Sequence, residues 1–368
     1  MKNRIAIASA TTMIVAMFFL IGCFGNQKSK EQETVKMGIV VPLSGNGAVL
    51  GSHSKQGAEL AVEEINAKGG LLGKKIVLDI QDSKSEPKEG VSIIKKMVNE
   101  KQKPFMVYSI VSGVTMAMRP ETESNKVILM AAVGTDKFMP NSNYTIRNYL
   151  SATSVAKYIV PYIKDSLKMN QIGIFYANNE YSTSVKNAVE EKGGKAGLSF
   201  QFSQPFDEKI PDYKSLVSGS ITNNTKCVFI DGIGTGLGSI IKQIRETGYK
   251  GLIVTTPLVK FPDVLTAAGD AIKDVRYLDF SYTEGSAEYS NNVFVKNYRA
   301  RYNSDPTNFA YISYEGVYLL LSKINSLQKL DTDVAVEAMN SVEDYEGVFG
   351  KISVHNREFE FSYAIKKF

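Results

Sequence analysis

Two histidines and two cysteines are all that 368 residues provide, and that scarcity excludes much chemistry. His53 and His355 are too few for a histidine-built metal centre, and a histidine-based triad lacks material. No G-x-x-x-x-G-K-[ST] occurs. The one glycine-rich turn, "CVFIDGIGTGLGSI", alternates Gly232, Gly234, Gly236 and Gly238 strictly. A dinucleotide fingerprint needs G-x-G-x-x-G, and its third glycine would fall on Leu237 or Ser239. What survives is a strand, a turn and a helix. S-x-x-K recurs at Ser52, Ser92, Ser239 and Ser326 without K-T-G or S-D-N, which makes it background. No catalytic residue, cofactor or metal is expected, and the chain does not read as an enzyme.

Charge of one sign is also lacking. Without Lys2 and Arg4 of the leader, 41 basic residues face 38 acidic ones, a balance of +3. The lysines alternate with acids, as on solvated helix faces, so no nucleic-acid partner is expected. No apolar run beyond the N-terminus approaches the length of a membrane span.

The N-terminus itself is informative. "MKNR" is a positive n-region and Ile5 to Phe19 a mostly apolar h-region, as in an export signal. It runs into Leu20-Ile21-Gly22-Cys23, which resembles the lipobox of bacterial lipoproteins, where the cysteine is lipidated and becomes the mature N-terminus. That resemblance implies a signal peptide over 1–22, lipidation of Cys23 and a flexible tether over 23–36. The remaining Cys227 has no partner for an internal disulfide. It lies in an apolar strand pattern and reads as a small buried hydrophobe.

The body alternates short β-branched runs with amphipathic segments, the pattern of parallel α/β sheets. "VKMGIVV", "KKIVLDIQD", "PFMVYSI" and "KVILMAA" are strand candidates in the first half. Helical stripes lie between them, and Gly69-Gly70 stops the first. The pattern restarts near residue 150, where Val155, Ile159, Ile163 and Leu167 form a stripe that Pro161 is expected to kink. "QIGIFYA", "GLSFQF", "KCVFIDG", "GLIVTTP" and "VRYLDFSY" follow. The terminal pair "GVFGKISVH" and "REFEFSYAIKKF" alternates like a hairpin. The fold class is therefore α/β with two lobes.

"GIVVPLSGNGAVLG" and "GAELAVEEINAKGGLLGKKIVLDIQDSKSEPKEG" resemble, over more than thirty residues of matching spacing, the extracytoplasmic solute-binding proteins of the branched-chain amino-acid and amide type. The resemblance runs from about Lys36 to the C-terminus. It implies a type I periplasmic-binding fold, two Rossmann-like lobes with parallel-rich sheets and a three-stranded hinge. Crossings are expected near 148–152, 280–284 and 350–355. Lobe 1 would comprise 37–149 and 283–352, and lobe 2 would comprise 150–282 and 353–368.

By the same resemblance the ligand lies between the lobes. A first-lobe clamp falls on Ser112, which opens a helix, and on Val133, Gly134 and Thr135 after the next strand. Hydroxyls and amides there suit a carboxylate, and the Val133 carbonyl suits an ammonium. As residues alone, Ser112 and Thr135 also read as helix caps. Tyr181 matches an aromatic position that closes over the ligand, and Asp231 is a candidate ammonium partner or a helix-capping aspartate. Leu50 and Phe309 match side-chain pocket positions and also read as core. One departure stands out: relatives often carry an acid where this chain has Thr255-Thr256-Pro257. An amine on the ligand then depends on Asp231, and amides, hydroxy acids and aromatic acids stay open.

The expected function is a monomeric, lipid-anchored substrate-binding protein outside the cytoplasmic membrane. It would take a small polar solute by domain closure and pass it to the permease of an ABC importer. The alternative is a sensing module that presents its occupied state to a membrane receptor.

Overall fold

A computed structural model of the chain describes residues 33–282 and 286–368. The leader, Cys23 and most of the tether lie outside the described residues. The first half runs β1 (Thr34–Val41), α1 (Ala48–Ala67), β2 (Lys75–Asp82), α2 (Pro87–Val98), β3 (Met106–Ile110), α3 (Ser112–Ser124), β4 (Ile128–Ala132) and β5 (Thr145–Arg147). The second lobe follows with α4 (Ala152–Pro161), β6 (Gln171–Ala177), α5 (Glu180–Lys195), β7 (Ser199–Phe206), α6 (Lys214–Ser220), β8 (Cys227–Asp231), α7 (Gly234–Glu246), β9 (Leu252–Thr255), α8 (Pro262–Ala268) and β10 (Arg276–Phe280). The chain then returns through α9 (Ala287–Asn291), α10 (Val293–Tyr302), α11 (Asn308–Leu327), α12 (Thr332–Met339), β11 (Tyr345–Gly347), β12 (Gly350–His355) and β13 (Glu358–Glu360), and ends in β14 (Tyr363–Lys367).

Two sheets result. One has the order β11-β12-β13-β5-β4-β3-β1-β2, and the other β14-β10-β9-β8-β6-β7. From β2 to β13 the first is parallel, and from β7 to β10 so is the second. Central strands are mostly apolar, as burial on both faces demands: all five residues of β3, β4 and β8 are buried, and Ser109 and Asp231 are the polar exceptions. Helices cover both faces. In α2 the stripe Ile94, Met97 and Val98 is buried while Lys95 and Lys96 face water. α1 and α11 pack together against the opposite face.

In each sheet the order reverses beside its first strand, between β1 and β3 and between β6 and β8. At such a switch point the connections leave in opposite directions and open a crevice beyond the carboxyl ends of the strands. The loops after β1, β3, β6 and β8 therefore converge, and they carry Leu50, Ser112, Tyr181 and Asp231.

The chain passes between the sheets at 148–151, between Phe280 and Ala287, and at 361–362. The third passage is later than the sequence pattern suggests. Ser353–His355 pair with Glu358–Glu360, and Glu358 pairs with Arg147, so residues 353–360 stay in the first sheet. Two local expectations also change. Pro161 ends α4, and the chain continues as a π-helical turn over Tyr162–Ser166 rather than as a kinked helix. The sequence pattern also places His53, one of the two histidines, in a loop, whereas it lies in α1, which begins at Ala48.

Candidate functional site

Asp231, the last residue of β8, is completely buried. The Thr256 hydroxyl donates to its Oδ1 at 2.7 Å, and Oδ2 has no hydrogen-bond partner. Burial pushes this carboxyl up to about 6, against the pull of the Thr256 and Ser182 hydroxyls beside it. A buried carboxylate oxygen left open is costly unless a donor or cation meets it. Asp231 caps no helix: Ile233 stands at the start of α7 with no side-chain cap bond.

Ser112 faces the same demand from the first lobe. It heads α3 directly after Val111, whose φ of 70° is a left-handed conformation costly for a β-branched residue. Its Oγ is buried, makes no capping bond and has no partner. A free hydroxyl and the amides of a helix N-terminus are groups that can meet an anion.

The segment after β4 turns without starting a helix, so Thr135 is not a helix cap. Its hydroxyl donates across to Glu180 Oε1 at 3.0 Å, at the start of α5, and the Asp136 amide donates to Ser184 Oγ at 3.2 Å. Gly134 lies against Tyr181: a Cβ built there would stand 2.2 Å from the Tyr181 ring. No side chain fits that approach. The Val133 side chain is buried in the apolar layer on the α2 and α3 side of the sheet, leaving only its backbone for the cleft.

Tyr149, which sequence reasoning missed, sits in the first crossing between these groups. Its ring centroid is 6.3 Å from Tyr181 and 5.0 Å from Phe309. The two tyrosine hydroxyls are buried and neither completes a hydrogen bond. Burial raises both phenols, so they stay protonated donors. Phe309 in turn meets Phe261 of the second lobe at 5.6 Å. Leu50 and Asn46 face Gly234, Leu258 and Phe261 across a narrow crevice. Gly234 has a φ of 63°, and a Cβ there would come within 2.4 Å of Asn46 Oδ1. The glycine-rich turn thus serves a close backbone approach between lobes.

The structure brings Gly134 against Tyr181 and Thr135 against Glu180 across the cleft, and it sets Tyr149 between Tyr181 and Phe309 with tilted rings. Thr256 was legible only as the residue replacing an expected acid. Arg147 was missed altogether. Buried behind the clamp, it donates from Nη2 to the Thr135 carbonyl at 3.1 Å and lies 3.7 Å from Asp136 and 3.4 Å from Glu358. His53 is engaged elsewhere, its Nδ1 2.9 Å from the Tyr298 hydroxyl. Among the described residues no group of three or more His, Cys, Asp or Glu could hold a metal ion, and no helix is long and apolar enough to cross a membrane.

Two α/β sheets with a cleft at paired switch points, lined by open hydroxyls and one buried carboxylate, define a solute-binding architecture. The sequence profile described as "Periplasmic binding protein" matches residues 34–363. The chain belongs to that family, whose members are extracytoplasmic solute-binding proteins and not enzymes. It is 26% identical over 326 residues to the Leu/Ile/Val-binding protein homolog 2 of Brucella abortus, covering 87% of this chain and 85% of the relative. Its fold matches the branched-chain amino acid transporter substrate-binding protein LivJ of Streptococcus pneumoniae, solved with isoleucine, at TM-score 0.82 and 23% identity, covering 91% and 96% of the two chains. It also matches a solute-binding protein of Rhodopseudomonas palustris, solved with 3,4-dihydroxybenzoic acid, at TM-score 0.80 and 20% identity, covering 91% and 93%.

Proposed function

We propose that this protein is a lipid-anchored receptor that captures a small solute carrying a carboxylate and an ammonium group. The two lobes close over the solute, and the closed form delivers it to an ABC importer. The observation that carries the reading is Asp231, with one oxygen held by Thr256 and the other open beside the hydroxyls of Tyr149, Tyr181 and Ser182. Ser112 and the 133–135 loop, on the opposite lobe, offer neutral donors to a carboxylate. Family membership and the Leu/Ile/Val-binding name of the Brucella relative agree with an amino-acid ligand. Leu50, Leu258, Phe261 and Phe309 then form the apolar part of the pocket.

A thermal-shift panel of amino acids, amides and aromatic acids identifies the ligand, because a native-state binder raises Tm. Calorimetric titration of the best binder against wild type and Ser112→Ala then tests the clamp, because the Ser112 hydroxyl is open whereas that of Thr135 already serves Glu180. Loss of one hydrogen bond to an ionised group is expected to weaken binding by about 10- to 100-fold. Unchanged affinity would mean the clamp lies elsewhere. If amides or plain acids bind and no amine does, the ammonium part of the reading fails.

Anchoring is tested separately. Cys23→Ala is expected to leave the precursor unprocessed or release the protein from the membrane fraction. A wild-type protein found free, with a lipid-less N-terminus, would contradict the anchor.

A further inference from the structure

Both oxygens of Glu208, two residues past the end of β7, are committed. Oε1 accepts from the Ile233 amide in the glycine-rich turn, and Oε2 accepts from Asn179 Nδ2 at 3.0 Å. Asn179 cannot turn its amide around, because its Oδ1 caps α5 by accepting from the Ser182 amide at 2.8 Å. Both groups facing Glu208 are therefore obligate donors, and the carboxylate must supply two acceptors. The turn is packed on it as well: a Cβ on Gly236 would stand 2.8 Å from the Glu208 backbone.

The two segments held this way are the ones that carry the second lobe's side of the cleft. Asn179 starts the helix that bears Tyr181 and Ser182, and Ile233 adjoins Gly234, which rests on Asn46 of the first lobe. We propose that Glu208 is a positioning residue that locks the start of α5 and the 232–234 turn into one rigid frame, and that this lock requires its carboxylate to be ionised. A proton on either oxygen makes it a hydroxyl, a weaker acceptor whose hydrogen competes for space with the donor facing it, and the hold on one of the two segments is loosened. The groups that face Glu208 are the carboxylates of Asp231 on β8 and Asp207 beside it, and the phenol of Tyr213 ahead of α6. Burial together with the two carboxylates pushes Glu208 up to about 7, so the lock weakens close to neutral pH.

The inference needs no ligand, so its failure is separable from that of the proposed function. Hydrogen exchange on the unliganded full chain reads the Ile233 and Ser182 amides in wild type, Glu208→Gln and Glu208→Asp from pH 8 to pH 5.5, after correction for intrinsic exchange. In wild type, protection at one or both amides is expected to fall at least tenfold through a midpoint near 7. Glu208→Gln, which keeps one acceptor, is expected to show the lowered protection at every pH, so the curves converge in acid. Glu208→Asp, one methylene short, should lose protection at both amides. Tm measured beside each variant separates local release from global destabilisation. Parallel wild-type and Gln curves, or wild-type protection independent of pH, would overturn the proposal. So would equal loss across all amides of the second lobe.

Discussion

Asp231→Asn is expected to raise the stability of the unliganded protein at pH 7.5 while abolishing its response to an ammonium-bearing ligand. The carboxyl is raised from 3.8 to about 6 in the folded state, with burial the dominant cause. The folded protein therefore binds the proton more tightly than the unfolded chain. Its contribution to stability is complete below the unfolded value and is lost as pH rises through about 6. At 1.36 kcal/mol per unit, the ionised group costs the empty protein at most about 3 kcal/mol above that pH. Asparagine removes the charge and still offers Thr256 an acceptor. Thermal melts from pH 4.5 to 8 should show wild type losing more stability across this window than the variant, in which other raised carboxyls, Glu208 and Glu315 among them, still titrate. With ligand present the order reverses, because a desolvated ammonium would lose its counter-charge, at a cost of several kcal/mol. A variant less stable than wild type at pH 7.5, with its ligand response intact, would make Asp231 an ordinary structural residue.

Gly134→Val is the second large effect. The residue meets Tyr181 across the cleft, and a Cβ at 2.2 Å from the ring has nowhere to go within a closed pair of lobes. Neither partner yields easily, since Gly134 also accepts from the Ala152 amide at 2.7 Å through its carbonyl. The severe clash is with Tyr181 of the other lobe, and the next neighbour is the Leu150 carbonyl in the crossing at 3.0 Å, so the core of each lobe should fold unchanged. Affinity is expected to fall by more than about 100-fold, a loss of roughly 3 kcal/mol, while the unliganded Tm moves little. Solution scattering should show the variant more extended than ligand-saturated wild type. Normal affinity together with normal compaction would show that Tyr181 moves aside freely and takes no part in closure.

Both effects trace to residues that the sequence pattern exposes. Ser112 and Asp231 stand at strand ends next to helix starts, positions where α/β sheets place ligands whatever their chemistry. Gly134 and Thr135 follow a strand in the same way. Tyr149, Arg147 and Glu208 carry no such local mark, and Thr256, although it directly follows β9, reads only as the residue standing where an acid is expected. Each matters through contacts with segments distant in sequence, as Arg147 does with Asp136 and Glu358, and periodicity reports only neighbours along the chain. The cap alternatives for Ser112, Thr135 and Asp231 were undecidable from residue type, since the same side chains cap helices and hold ligands. Coordinates decide them, because none of the three caps a helix. Gly47 and Gly51, poor helix formers, stand at the start of α1. Gly51 is there because the Pro42 carbonyl lies where a side chain would be. The third crossing was misplaced because a strand that stays in its sheet and one that leaves it share the same alternation.

Closure over a solute is the central claim, and small-angle scattering of the wild-type protein tests it most directly. With the best binder from the panel at saturation, the radius of gyration is expected to fall relative to the ligand-free protein, in step with the calorimetric binding curve. A confirmed one-to-one binder that leaves the radius of gyration unchanged, with the ligand-free particle already as compact as the closed structure, would contradict it.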